Sequence, residues 1–190
     1  MKVLVVYASK YGSTKEISEF ISEKLRQRGL LSEVQPVEAV HNPGDYDAFV
    51  IGSAVYMMHW LKEATEFVLR NRVVLASQSV WLFSSGPLGT ETKDAQGRDL
   101  CVVSEPKEIA EFREVINPRD HRVFFGALDG SKLSLAHQMI RKLPAARAIL
   151  PEGDFRNWTD IEAWTVGIAI ELGALQTPPV ASITTKEGKQ

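Results

Sequence analysis

Five short strand-like segments, most of them apolar and each followed by residues that recur at helical spacing or by a turn, constrain the fold of this chain more than any other feature. Val3-Leu4-Val5-Val6-Tyr7 is continuously apolar, as a strand buried on both faces requires. Ile17, Phe20, Ile21 and Leu25 then follow at helical period, and Gly29 marks the stop. The next strand, around Glu33 to Val37, contains Pro36, which has no N–H to give a central ladder and so belongs at a sheet edge. Ala48 to Gly52 is again a buried strand, followed by a helix with Leu61, Ala64, Thr65, Val68 and Leu69 on one face. Val80-Trp81-Leu82-Phe83 precedes a helix carrying Ile109, Phe112, Val115 and Ile116. Arg122 to Ala127 is the fifth strand, and the last helix carries Ile161, Trp164, Ile168 and Leu172, with Thr159 and Glu162 placed as a capping box.

Strands alternating with helices form a parallel sheet covered on both faces. With the second strand at an edge, the expected order is 2-1-3-4-5. Ligands of such sheets bind outside the carboxyl ends of the strands, near the point where the order reverses. The loops after strands one, three and four converge there.

The first of these loops is Ser9-Lys10-Tyr11-Gly12-Ser13-Thr14. Its hydroxyls can donate hydrogen bonds, Gly12 can adopt positive φ, and the first amides of the following helix point outward unpaired. Backbone donors and the helix dipole favour a phosphate here without a basic side chain. Ser13 and Glu16 also read as a capping box, which would make the turn an ordinary helix start. The second loop, Gly52 to Trp60, has Ser53 at its start. Ala54, Val55, Tyr56, Met57, Met58, His59 and Trp60 follow, a cluster of flat and polarizable groups suited to stacking on a planar ring. Tyr56 and Trp60 can equally serve to seat the next helix. His59 is the histidine nearest the expected ring, as a proton relay or as a surface group. The third loop, Ser84-Ser85-Gly86-Pro87-Leu88-Gly89, is small enough for its backbone to approach a heteroaromatic edge.

Other nucleotide folds do not match the first loop. A dinucleotide fold wants three spaced glycines and a phosphate-binding NTPase wants Gly-Lys-Ser/Thr, neither of which is present. A thiol phosphatase needs a cysteine in this turn, and a receiver domain needs paired acids after strand one. A hydroxyl-rich turn suits a terminal phosphate monoester on a ring held by the other two loops.

On these residues the chain resembles the flavodoxins. The turn Ser9 to Thr14 looks like their FMN phosphate loop, and the Ser53 to Trp60 and Ser84 to Gly89 loops fall where that family holds the isoalloxazine ring. The resemblance implies a flavodoxin-like three-layer α/β sandwich binding FMN. Its cofactor residues would be Ser9, Lys10, Tyr11, Gly12, Ser13, Thr14, Ser53, Ala54, Val55, Tyr56, Met57, Ser84, Ser85, Gly86, Pro87, Leu88 and Gly89. Phe124-Phe125-Gly126-Ala127-Leu128, the insertion after it and Trp158-Thr159-Asp160 resemble the menaquinone-dependent protoporphyrinogen oxidases of the same fold. That resemblance implies dehydrogenation of protoporphyrinogen IX with a quinone as acceptor. No catalytic side chain is assigned, and no metal is expected. An electron-transfer flavodoxin and an NAD(P)H:quinone oxidoreductase are the alternatives.

Two features, the small net charge and the insertion from Asp129 to Phe155, separate the chain from a simple electron shuttle, and Met57-Met58 departs from the shuttle pattern as well. A net charge of -2 gives little of the steering that acidic electron carriers use. The region of Met57-Met58 lacks the glycine that flavodoxins often place near the flavin N5 edge. The insertion at 129–155 is rich in Lys132, Arg141, Lys142 and Arg147 among apolar residues. It would hold propionates, a quinone headgroup or, through 131–150, an anionic membrane surface, or else pack as a plain amphipathic helix. The polar stretch Thr90 to Val103 reads as a lid or a simple loop. One FMN domain at 1–175 and a poorly packed tail at 176–190 are expected, with room for an oligomer. The charge balance makes no case for nucleic acid. The lone Cys101, no apolar run of membrane-span length and a chain that enters a strand at once fit a cytoplasmic protein, peripheral to a membrane at most.

Overall fold

The computed structural model describes residues 1–133 and 151–174. Its core is a parallel sheet of β1 (Lys2–Ala8), β2 (Leu31–Pro36), β3 (Ala48–Tyr56), β5 (Ser79–Ser85) and β6 (Asp120–Phe124), in the order β2-β1-β3-β5-β6. A two-residue strand, β4 (His59–Trp60), folds back antiparallel on β3. Leaving this return strand aside, the order is the expected 2-1-3-4-5, with the Pro36-bearing strand at an edge.

The period-two alternation of each strand splits the core into two layers. Leu4, Val6, Phe49, Ile51, Val80 and Leu82 face α2 (Lys62–Arg70), α3 (Arg72–Ala76) and α5 (Glu108–Ile116). Val3, Val5, Val50, Trp81 and Phe83 face α1 (Ser13–Gln27) and the last helix, α6 (Trp158–Glu171). Residues 3–6 are wholly buried, so each of these side chains contributes about 1.5–3 kcal/mol of apolar burial. At the centre, Gly52 passes under the Phe83 ring. A Cβ there would lie 2.0 Å from Phe83 Cζ, so only a residue without a side chain fits.

Several local expectations need correction. Strand three does not end at Gly52. It runs to Tyr56 because Val55 and Tyr56 pair with Trp60 and His59, which turns the second loop into a hairpin. Strand five ends at Phe124 rather than Ala127. Ala127–Leu128 forms a separate strand, β7, that pairs antiparallel with β8 (Gly153–Asp154) and closes the base of the insertion. Neither capping box forms. Ser13 lies inside α1 behind Gly12, and α6 is capped by Asn157, whose side-chain oxygen accepts from Asp160 N–H at 3.2 Å. The expected partners are engaged elsewhere: Glu162 accepts from Lys24 at 2.9 Å and Glu16 from Arg156 at 2.7 Å.

The stretch after the third loop is organised as well. Asp94 accepts from Arg98, and Asp99 caps the short helix α4 (Leu100–Val103). All of the basic segment expected at 131–150 beyond Leu133, with Arg141, Lys142 and Arg147, and the tail at 176–190 lie outside the described residues. No described helix is long and apolar enough to cross a membrane.

Candidate functional site

The loops after β1, β3 and β5 meet at the carboxyl end of the sheet. In the first, Gly12 holds φ 96° and forms the N-terminal boundary of α1. Its N–H donates to Ser9 Oγ at 3.1 Å, and its carbonyl accepts from Glu16 N–H at 3.0 Å, the first bond of the helix. The amides before Glu16 have no carbonyl one turn earlier to bind, so the helix end carries free donors and partial positive charge. Thr14 is fully buried in this turn, and its Oγ1 has no hydrogen-bond partner among the described residues. An orphaned buried hydroxyl costs roughly 1–3 kcal/mol, a cost that a bound acceptor at this turn would relieve.

Ser13 has a different task from the one its spacing suggested. Its Oγ accepts from Ala127 N–H at 2.9 Å and lies 3.3 Å from Ser85 Oγ. It fastens the first loop to the third and to the base of the insertion. The third loop is further fixed by Gly86 N–H on Phe124 O (3.1 Å) and by Gly126 N–H on Pro87 O (2.9 Å). A Cβ on Gly86 would meet that of Val55 at 3.4 Å, so the second and third loops also touch.

In the hairpin, Met57 (φ 51°) and Met58 (φ 66°) are both left-handed, the signature of a type I′ turn. Non-glycine residues in this region cost about 1–3 kcal/mol each and persist where their surroundings hold them. Here the holding group is Glu108 at the start of α5. It lies 2.6 Å from His59 Nδ1 and accepts from Trp60 N–H at 3.2 Å, while Lys107 N–H donates to Met58 O at 3.1 Å. Met57 is 93% exposed and Tyr56 40% exposed. The Lys10 ammonium sits 5.3 Å above the Tyr56 ring and 5.7 Å above that of Tyr11. Partial burial, with the neighbouring Tyr11, pushes the Tyr56 phenol up to about 12, so it remains a neutral hydroxyl at physiological pH.

Two of the expected site hydroxyls point inward. Ser53 is wholly buried, and its Oγ accepts from Leu61 N–H at 3.0 Å. Ser84 is also buried, its Oγ accepting from the Trp60 indole N–H at 2.8 Å and facing His121 Nε2 at 2.8 Å. Trp60 is itself buried, packed edge-on against Phe112 at 5.2 Å, so it seats the hairpin and does not face the crevice. Ser9, Lys10, Tyr11 and Gly12 form the first turn with Thr14 in the first turn of α1, Ala54, Val55, Tyr56 and Met57 the end of β3 and its turn, and Ser85 ends β5 before the loop of Gly86, Pro87, Leu88 and Gly89.

Sequence reading missed a charged wall beside the phosphate turn. Arg156 donates to Glu16 Oε2 (2.7 Å) and, through two nitrogens, to both Asp154 oxygens (2.8 and 2.7 Å), and its guanidinium lies 4.5 Å from the Trp158 ring. Lys132 donates to the other Glu16 oxygen at 3.2 Å. The Arg156 hydrogen bond, against some burial, holds the Glu16 carboxyl below its usual range, and the same guanidinium does so for Asp154. This wall and Tyr11, Ser13 and Leu128 enclose a hollow of about 350 Å³. Its residues come from α1 and from both ends of the insertion, so no local pattern announces it.

A parallel sheet in this order, with a glycine-headed helix and an unpartnered hydroxyl at its first loop and two further loops facing it, defines a mononucleotide-binding α/β domain. The chain belongs to the flavodoxin domain family, whose model matches residues 4–147, and FMN is the cofactor of this domain. Protoporphyrinogen IX dehydrogenase (quinone) of Escherichia coli strain K12 is 28% identical over 86 residues, 44% of this chain and 48% of that protein. The chain thus spans about half the length of the curated relatives it matches. A mutant flavodoxin from Pseudomonas aeruginosa has a TM-score of 0.57 at 15% identity, covering 91% of this chain and 99% of that one. Rubredoxin oxygen:oxidoreductase from Desulfovibrio gigas has a TM-score of 0.58 at 15% identity, covering 91% of this chain and 36% of that one. These two likenesses concern the fold. The residues present fit FMN: the free amides at the start of α1 and Thr14 Oγ1 suit a phosphate, and Tyr56 at the hairpin offers a flat face for the ring.

Proposed function

We propose that this chain is an FMN-dependent oxidoreductase that takes reducing equivalents from a porphyrinogen, protoporphyrinogen IX in the first instance, and delivers them to a quinone. Bound FMN supplies the redox chemistry, taking up hydride and passing electrons on. The protein binds and orients. The Gly12 turn and Thr14 would hold the phosphate, the Tyr56–Met57 edge of the hairpin and the backbone of Ser85 to Gly89 would hold the ring, and Ser13 keeps the two ends in register through Ala127 and Ser85. Glu108 fixes the hairpin through His59 and the Trp60 N–H, leaving His59 Nδ1 engaged.

The observation that carries this reading is the similarity to the Escherichia coli dehydrogenase, whose name states both porphyrinogen and quinone. The small net charge of -2 supports it against an electron carrier, because there is little field to steer a carrier to its partner. The test is anaerobic mixing of the FMN-loaded protein with protoporphyrinogen IX, followed by a menaquinone analogue. Bleaching by the porphyrinogen and return of colour with the quinone is the expected result. Bleaching by NADPH alone would indicate an NAD(P)H:quinone oxidoreductase. Reduction only through a reductase partner would indicate a flavodoxin-type carrier.

A further inference from the structure

The charged wall contains a cation placed for a task beyond its present partner. Lys132 ends a short helical turn at Gly130–Lys132 that is held from both sides: Asp129 caps it through Ser131 N–H (2.9 Å), and Leu133 behind it is buried. The ammonium therefore has a fixed root and a flexible stem. Its Nζ lies 3.6 Å from the point a Cβ on Gly12 would occupy, directly at the phosphate turn. A second hollow, lined by Lys10, Tyr11, Gly12, Glu16 and Lys132, opens over that glycine. The other lysines of this corner are directed elsewhere, Lys10 to the rings of Tyr11 and Tyr56 and Lys15 to Glu19 at 3.7 Å.

Glu16 is bridged by two cations of unequal standing. Arg156, with its side chain 7% exposed, holds it at 2.7 Å, whereas the half-exposed Lys132 holds it at 3.2 Å. Losing Lys132 would leave Glu16 its hydrogen bond to the guanidinium, which also holds Asp154. A phosphate monoester carries close to two negative charges at pH 7, more than Glu16 can offer a lysine. We infer that Lys132 is a phosphate ligand of the FMN site, which exchanges Glu16 for the phosphate when FMN binds while Arg156 keeps Glu16 in place. This rests on FMN binding at the Gly12 turn. It gives the first turn of the insertion a role in cofactor retention, alongside the backbone amides and Thr14.

Flavin-fluorescence titrations of the apoprotein with FMN and with riboflavin, at low and high salt, test the inference. K132M should weaken FMN binding by roughly ten- to a hundredfold, leave riboflavin unchanged, and flatten the salt dependence of FMN binding, with K132R restoring most of the affinity. The same loss should persist in an E16Q background. An equal effect on both flavins, or no effect, would overturn the inference. So would a loss that vanishes in E16Q, since Lys132 would then merely mask the Glu16 charge. Failure of the unmodified protein to bind either flavin would instead remove the cofactor assignment itself.

Discussion

The Nε2 of His121 lies 2.8 Å from Ser84 Oγ, in the middle of a buried chain that runs from the hairpin to the surface. The Trp60 indole N–H can only donate, so Ser84 Oγ accepts it and turns its own proton to His121 Nε2. His121 Nδ1–H then donates to Glu105 Oε2 at 3.2 Å, and Arg113 forks onto both Glu105 oxygens at 2.8 and 2.6 Å. The order serine, histidine, carboxylate resembles a catalytic triad, but the buried Ser84 offers no approach to a substrate. The chain positions the third loop against the hairpin.

This arrangement sets a pH dependence. The His121 side chain is 2% exposed, and burial holds its pKa below the usual histidine value, against the opposing pull of Glu105. The unfolded chain then binds the proton more readily than the folded one, so stability is full above about pH 6.5 and falls as pH drops through the lowered folded value. Urea midpoints measured from pH 7.5 to pH 5 should decline for the unmodified protein. In H121Q this part of the decline should disappear, and the stability at neutral pH should be lower by about 1–3 kcal/mol.

Thr14 separates stability from binding. T14V keeps the shape of the side chain and removes the orphaned hydroxyl, so the apoprotein should be as stable as before or more so, by up to about 1 kcal/mol in urea unfolding. FMN affinity should fall in the same variant. A loss of apoprotein stability with unchanged affinity would mean that the hydroxyl has an internal role.

Gly52 and Phe83 are coupled by close approach. G52A should destabilise the fold by about 1–3 kcal/mol, because the methyl group would overlap a ring packed between the sheet and α6. F83L makes room, so the double variant G52A/F83L should cost less than the sum of the two single changes. A urea-based double-mutant cycle measures this coupling.

Arg156 anchors the insertion to α1. Its carboxylate partners are partly in water, with Glu16 41% and Asp154 48% exposed, so R156M should cost about 1–2 kcal/mol, below the penalty of a fully buried pair. Glu16 and Asp154 have lowered carboxyl values in the fold, so their contribution is present above about pH 4.5 and is lost as pH falls through the lowered values. Acid titration of stability should accordingly be shallower in R156M.

The sheet was legible because period and punctuation agree: the apolar runs gave the strands, and Pro36 placed one of them at an edge. The phosphate turn was legible because helix-end chemistry is local, and Gly12 does hold the positive φ it was expected to allow. The hairpin was hidden. A type I′ turn normally announces itself by Asn-Gly or Asp-Gly, whereas Met57-Met58 is held in that shape by Glu108, 50 residues away in the chain for Met58. The capping boxes misled because Ser13 and Glu16 have better partners in Ala127 and Arg156, which no short window contains. Ser53 and Ser84 were expected in loops, yet they lie within β3 and β5, where their hydroxyls turn into the core, since alternation along a strand sends neighbouring side chains to opposite sides.

Phosphorus NMR of FMN bound to the protein tests most directly whether the phosphate lodges at the start of α1. A single bound resonance, displaced from that of free FMN and constant from about pH 5 to 8 as a dianion shielded from its usual titration near pH 6, is the predicted result. A resonance that titrates like free FMN would place the phosphate in solvent and contradict the account.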